Sequence, residues 1–123
     1  MQVELTRFKV KPGMSSVVDE WLKFLNDNME GVLLTLEREK MYVETIFREK
    51  QGEDEYLYWY SIQGEGAESV ETSEHDIDKK HIEYWRKCID PSYQPEDLLP
   101  EVIMIPNSKI GRASCRERVL RLV

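Results

Sequence analysis

Two histidines, an arginine and a glutamate on separate strand-like segments, and a run of aromatic residues are the groups in this sequence able to do chemistry. His75 and His81 are the only histidines among 123 residues, and imidazole is the side chain that exchanges protons near neutral pH. His81 lies in a stripe with Ile77, Trp85 and Cys88, where a hydrogen-bonded core role competes with catalysis. His75 stands between Glu74 and Asp76 at a helix start, where capping or plain solvation competes. Glu74, Asp78 and His81 are spaced to share one helical face, as nitrogen and oxygen ligands would. The two histidines, however, point about a third of a turn apart, and charges on one helix face are usually only solvated, so no metal is expected.

Arg7 shares its side of one strand with Val3 and Leu5, and Glu44 shares its side of another with Tyr42 and Ile46. If both sides form the sheet face turned away from the helices, arginine and glutamate meet in an enclosed interior. Buried charges persist when paired and perturb each other's pKa, as functional pairs do and as purely structural ion pairs also do. The expected ligand-binding set is therefore Arg7, Tyr42, Glu44, Tyr58, Tyr60 and Trp85. The candidates for acid–base catalysis are Glu44, His81 and His75. Cys88 lies on a buried stripe with no base beside it, so it is not expected to be a nucleophile. Gln63-Gly64-Glu65-Gly66 lacks the lysine of a phosphate-binding loop and reads as a turn. No cofactor is expected.

These residues depend on elements legible from periodicity. QVELTRFKV at 2–10 alternates like a strand, and Lys11-Pro12-Gly13 stops it. Ser16-x-x-Asp19 has the form of a capping box. Val18, Trp21, Leu22, Leu25, Met29, Val32, Leu33 and Leu36 then keep helical steps. Asn26-Asp27-Asn28 and Gly31 predict a kink or break near 28–31, within one long helix or between two nearly collinear ones. MYVETIFRE at 41–49 and YLYWYSI at 56–62 read as strands joined by a hairpin loop at Gln51-Gly52-Glu53-Asp54. A second helix follows Ser73-x-x-Asp76, and Val102–Ile105 is the expected fourth strand. The order strand, helix, strand, strand, helix, strand predicts an α+β, ferredoxin-like fold: a four-stranded antiparallel sheet with both helices on one face.

Helices cover one face of such a sheet, and a face left to water should alternate with polar residues. Here Tyr56, Tyr58, Tyr60 and Ile62 oppose Leu57 and Trp59, so neither face is polar. An apolar open face marks a contact with another chain, and the expected partner is a second copy, closing a dimeric α/β barrel.

The opening VELTRFKVKPG, followed by a tryptophan-bearing amphipathic helix, resembles the start of dimeric α/β-barrel proteins such as antibiotic-biosynthesis monooxygenase-like domains and sugar mutarotases. LEREKMYVETIFRE, YLYWYSIQGEG, SEHDIDKKHIEYW and CIDPSYQPEDLLPEV are more closely similar to a family of small prokaryotic proteins built on a domain of unknown function. That resemblance spans about residues 3–106. It implies the fold and the dimer but carries over no catalytic residue.

Residues 109–123 differ from the rest. They hold five basic residues and one acid, and Ile110–Val119 resembles the translation of a common short-read sequencing adapter. The expected organisation is one domain over 1–108 and a non-native read-through tail over 109–123. The whole chain has 17 basic and 24 acidic residues; without the tail 12 and 23 remain, a net charge of −11. Such a body repels phosphate, so no nucleic-acid partner is expected. No apolar run reaches the roughly 20 residues of a membrane span. Two cysteines without a spacing ladder suit the cytoplasm. Three functions fit: a homodimer binding a small organic ligand between sheet and helices, a cofactor-independent isomerase or monooxygenase of the dimeric-barrel type, and a protein-interaction module.

Overall fold

A computed structural model describes residues 1–65 and 76–106. Its element order is β1 (Gln2–Lys9), α1 (Ser15–Asp27), α2 (Met29–Arg38), β2 (Met41–Gln51), β3 (Asp54–Gln63), α3 (Asp76–Cys88) and β4 (Glu96–Leu98). The sheet order is β2-β3-β1-β4, with every neighbouring pair antiparallel. This is the ferredoxin-like arrangement expected from the sequence.

Local chemistry sets the boundaries. After β1, the Met14 amide donates to the Lys11 carbonyl at 3.1 Å around Pro12 and Gly13 (φ +82°). Proline first and a positive-φ glycine second make this a type II turn. The predicted break falls at Asn28, where the side-chain amide donates to the Phe24 carbonyl at 2.8 Å. That bond competes with the helix ladder and separates α1 from α2. α2 ends as Lys40 enters the left-handed region (φ +55°), its amide bonded to the Glu37 carbonyl. Glycine is the usual residue at such a C-terminal cap. The β2–β3 hairpin turns on Gly52, with φ +63° at the first loop position.

Register then assigns the two faces. Phe8 pairs with Leu57, Thr6 with Trp59, and Ile46 with Trp59 from the other side. These alternate residues face the helices. The core is Val10, Val18, Trp21, Leu57, Cys88 and Ile89, with Phe8, Ile46, Trp59, Tyr84 and Trp85 packed around it. Burying indole and aliphatic surface here supplies the main driving force, about 25 cal/mol per Å² of apolar area. Val3, Leu5 and Arg7 of β1, Tyr58 and Tyr60 of β3, and Val43 and Phe47 of β2 form the uncovered face.

Two local expectations are corrected. The fourth strand is Glu96–Leu98, not Val102–Ile105. Its partners choose it: Thr6 donates to Asp97 at 2.7 Å and Arg7 pairs with Glu96, so polar side chains hold an edge strand that local hydropathy does not mark. Ser16 and Asp19 form no capping box, because α1 starts at Ser15 with Met14 at the N-cap. Arg48 of β2 takes Asp19 instead, donating to its carboxylate at 2.7 Å and to the Ser15 hydroxyl at 3.0 Å. The same guanidinium pairs at 2.5 Å with Glu55, which is buried. Ser73, Gly66 and the 109–123 tail lie outside the described residues.

Candidate functional site

Between the sheet and the three helices lies a cavity of about 390 Å³. Its wall is mainly apolar, from Leu22 and Leu25 of α1, Val32 and Leu36 of α2, Ile46 of β2 and Ile77 of α3. The helical stripe read from the sequence builds it: α2 departs from α1 at Asn28, and the residues that would close a tight core instead line a space. A second recess of about 280 Å³ adjoins it and shares Glu44, Trp59 and His81.

Three polar groups enter this apolar setting from strand and helix. Glu44, on the helix-facing side of β2, accepts a hydrogen bond at Oε2 from the Trp59 indole N–H at 2.6 Å. Desolvation raises its pKa above the ordinary carboxylate value, and the indole bond only partly offsets this. His81, from α3, accepts at Nδ1 from the Trp21 indole N–H at 3.0 Å. Burial lowers its pKa, with Asp78 acting in the opposite direction. The neutral ring therefore carries its proton on Nε2. Asp78 is buried and pairs with Arg38 of α2 at 3.4 Å.

The aromatic residues make one cluster. The Trp21 and Trp59 rings lie 5.6 Å apart, Trp59 and His81 6.0 Å, and Trp59 and Trp85 5.2 Å. Buried indoles need a partner for their N–H. Here the two partners are the acid and the imidazole.

The expected site residues divide between three places. Glu44, His81 and Trp85 lie on the helix side, with Trp85 lining the smaller recess. Arg7, Tyr58 and Tyr60 lie on the uncovered face, so Arg7 and Glu44 do not meet: the sheet separates them. Arg7 instead donates to the Tyr93 hydroxyl through Nε at 3.0 Å and Nη2 at 2.7 Å, pairs with Glu96 and stacks over Tyr56 at 4.8 Å. Tyr58 donates to Glu49 at 2.5 Å. A register shift between Met41 and Val43 takes Tyr42 out of the strand alternation, and its hydroxyl lies 2.8 Å from where a Cβ on Gly64 would stand. His75 lies outside the described residues. Sequence reasoning did not assign Trp21 and Trp59 as the donors that hold His81 and Glu44. The available signal was that each tryptophan sits on a buried face and must find an acceptor there.

Cys88 is fully buried, and burial raises its thiol pKa. Among the described residues no group of three or more histidine, cysteine or acidic side chains is placed to hold a metal ion, and no helix is long and apolar enough to cross a membrane.

Fold and cavity define the class: a ferredoxin-like α+β domain with an apolar chamber beneath its helices. Residues 1–110 match the family described as "Family of unknown function (DUF6176)", and the chain belongs to that family. No curated protein matches it. Among solved structures, it is similar to the crystal structure of an L-rhamnose mutarotase from Formosa agariphila. The TM-score is 0.48 and the identity 14%, covering 86% of this chain and 100% of that one.

Proposed function

We propose that the protein is a cytoplasmic homodimer that binds a small organic ligand in the cavity between the sheet and the helices. The observation supporting the binding role is the cavity of about 390 Å³, apolar in its walls and provided with a few convergent polar groups. Concave apolar chambers with sparse polar anchors are the usual form of small-molecule sites. Support for the dimer comes from the uncovered face, where Phe47 is 54% exposed beside an exposed Val43. Apolar sheet surface of this kind is stabilised by a second layer. Support for the cytoplasm is the pair of cysteines with no disulfide framework.

Native mass spectrometry on the full chain, purified without added ligand, tests both parts. The expected spectrum shows twice the chain mass plus a small bound mass. Leu36→Trp, which fills the cavity, should remove the bound mass and leave the dimer. A bare monomer rejects the whole reading.

One observation favours a second reading, an interaction module for a different protein. Leu99, Val102 and Met104 are each at least 70% exposed after β4. Phe47→Asp separates the two readings in sedimentation. A dimer that falls to a monomer supports self-association, and a mass that never exceeded one chain favours the other partner.

A further inference from the structure

We propose that Glu44 and His81 act as a proton-transfer pair in this cavity, catalysing keto–enol isomerisation of a small, neutral, largely apolar carbonyl compound. This rests on the binding reading above and gives that site a substrate class and a reaction.

Geometry carries the proposal. One oxygen of Glu44 is held by Trp59 and one nitrogen of His81 by Trp21, at 2.6 and 3.0 Å. The other atom of each group, Oε1 and Nε2, has no hydrogen-bond partner among the described residues. Yet no buried side-chain nitrogen or oxygen among the described residues lacks a hydrogen bond. Both atoms must therefore open onto accessible space. Both residues line the same two adjoining recesses, so a carboxylate oxygen and an imidazole N–H are presented to one chamber by rings that lock their orientation.

The surroundings select the substrate. Glu39 and Asp78 also border the chamber, and Arg38 is committed to Asp78. The partner holding Glu44 is a neutral indole and not a cation, so an anionic ligand would meet the charge of ionised Glu44 in a poorly screened space, whereas a neutral one would not. Leu22, Leu25, Val32 and Leu36 suit an apolar body. The two free polar atoms match a carbonyl group and the C–H bond beside it.

The step balances without an oxidant or a second reactant. Ionised Glu44 removes the proton from the carbon next to the carbonyl. The C–H electron pair forms the carbon–carbon double bond, and the carbonyl π pair moves to oxygen, where the His81 Nε2–H holds the developing negative charge. Delivery of the proton from Glu44 to that oxygen gives the enol, and its delivery back to carbon, after exchange with solvent, gives the labelled ketone. Burial makes Glu44 a stronger base than a solvated carboxylate and keeps His81 neutral, a donor and not a cation.

The test follows hydrogen–deuterium exchange at the α-carbons of 2-tetralone by NMR in D2O, with binding of the same ketone read from tryptophan emission. Wild-type protein should quench on binding and exchange the α-hydrogens faster than buffer. Glu44→Gln keeps an acceptor for Trp59, so it should bind the ketone and lose about 100- to 10,000-fold in exchange rate. His81→Gln should lose about 100- to 1,000-fold. Quenching without exchange above buffer overturns the proton-transfer proposal and leaves the binding reading standing. Exchange that survives Glu44→Gln overturns it as well. A ketone that neither binds nor exchanges, while a different small molecule occupies the cavity in the mass spectrum, overturns the substrate class alone with the chemistry attached to it.

Discussion

Glu44 and Glu49 lie on the same strand, β2, on opposite faces of the sheet, and the protein treats them in opposite ways. On the covered face Glu44 has one indole donor, and burial raises its pKa. On the uncovered face Glu49 accepts from the Tyr58 hydroxyl and from Gln51 and lies near Arg7, and its pKa is lowered. The same contrast runs through the aromatic residues. Tryptophans on the covered side hold a half-buried acid and a half-buried imidazole. Tyrosines on the uncovered side join a guanidinium and carboxylates at the edge of solvent, where charge is readily accommodated. A carboxylate tuned toward neutrality needs desolvation with few donors, which is why the proton transfer is proposed for the covered face. A network of opposite charges bridged by tyrosine hydroxyls suits the edge of solvent.

The strongest way to break this contrast is to remove the centre of the covered face. Trp21 is fully buried and bonds His81, so Trp21→Ala should cost about 3–5 kcal/mol of stability, measured by urea denaturation. A loss below 1 kcal/mol would mean that the covered face is not the cooperative core.

A smaller effect comes from pH. Burial holds the folded-state pKa of His81 below its ordinary 6.5. As pH falls through 6.5, the unfolded chain takes up a proton that the folded chain refuses. The contribution of His81 is therefore complete above that value and is lost as pH falls toward the folded pKa. The loss amounts to about 1.4 kcal/mol for each pH unit separating the two values. Glu44 works in the reverse sense: its folded pKa is raised, so stability is lost as pH rises through the region above its ordinary 4.5. From pH 5 to 7.5 the denaturation midpoint should gain more, or lose less, with rising pH in the native chain than in His81→Gln, where the Glu44 loss is left unopposed. An unchanged slope in the variant would assign the dependence elsewhere.

The smallest effect should come from the uncovered face. Arg7→Met deletes the pair with Glu96 and the bonds to Tyr93, in a setting screened by solvent. The midpoint of thermal unfolding should move less than in either experiment above, and the difference should vanish as salt is raised. A large, salt-independent loss would show that the two faces are energetically alike.

Much of the architecture was legible because periodicity is a local property. The alternation of QVELTRFKV, the helical stripe from Val18 to Leu36 and the Asn28 break each follow from side chains within a few residues of one another. Lys11-Pro12-Gly13 names its own turn, since proline and glycine restrict or release φ whatever surrounds them. Period 2 also separates Arg7 from Phe8 and Glu44 from Thr45 on their strands. It cannot say which side the helices cover, so placing Arg7 and Glu44 together was an assumption that register alone could decide. The fourth strand went to Glu96–Leu98 because Thr6 and Arg7, some 90 residues earlier, offer donors to its carboxylates. The Trp59–Glu44 and Trp21–His81 pairs join residues 15 and 60 positions apart. Residue type made Glu44 and His81 candidates but did not single out the two tryptophans that hold them. Only packing that removed water from around them made each N–H require its acceptor, and so decided which acid and which histidine would share a chamber.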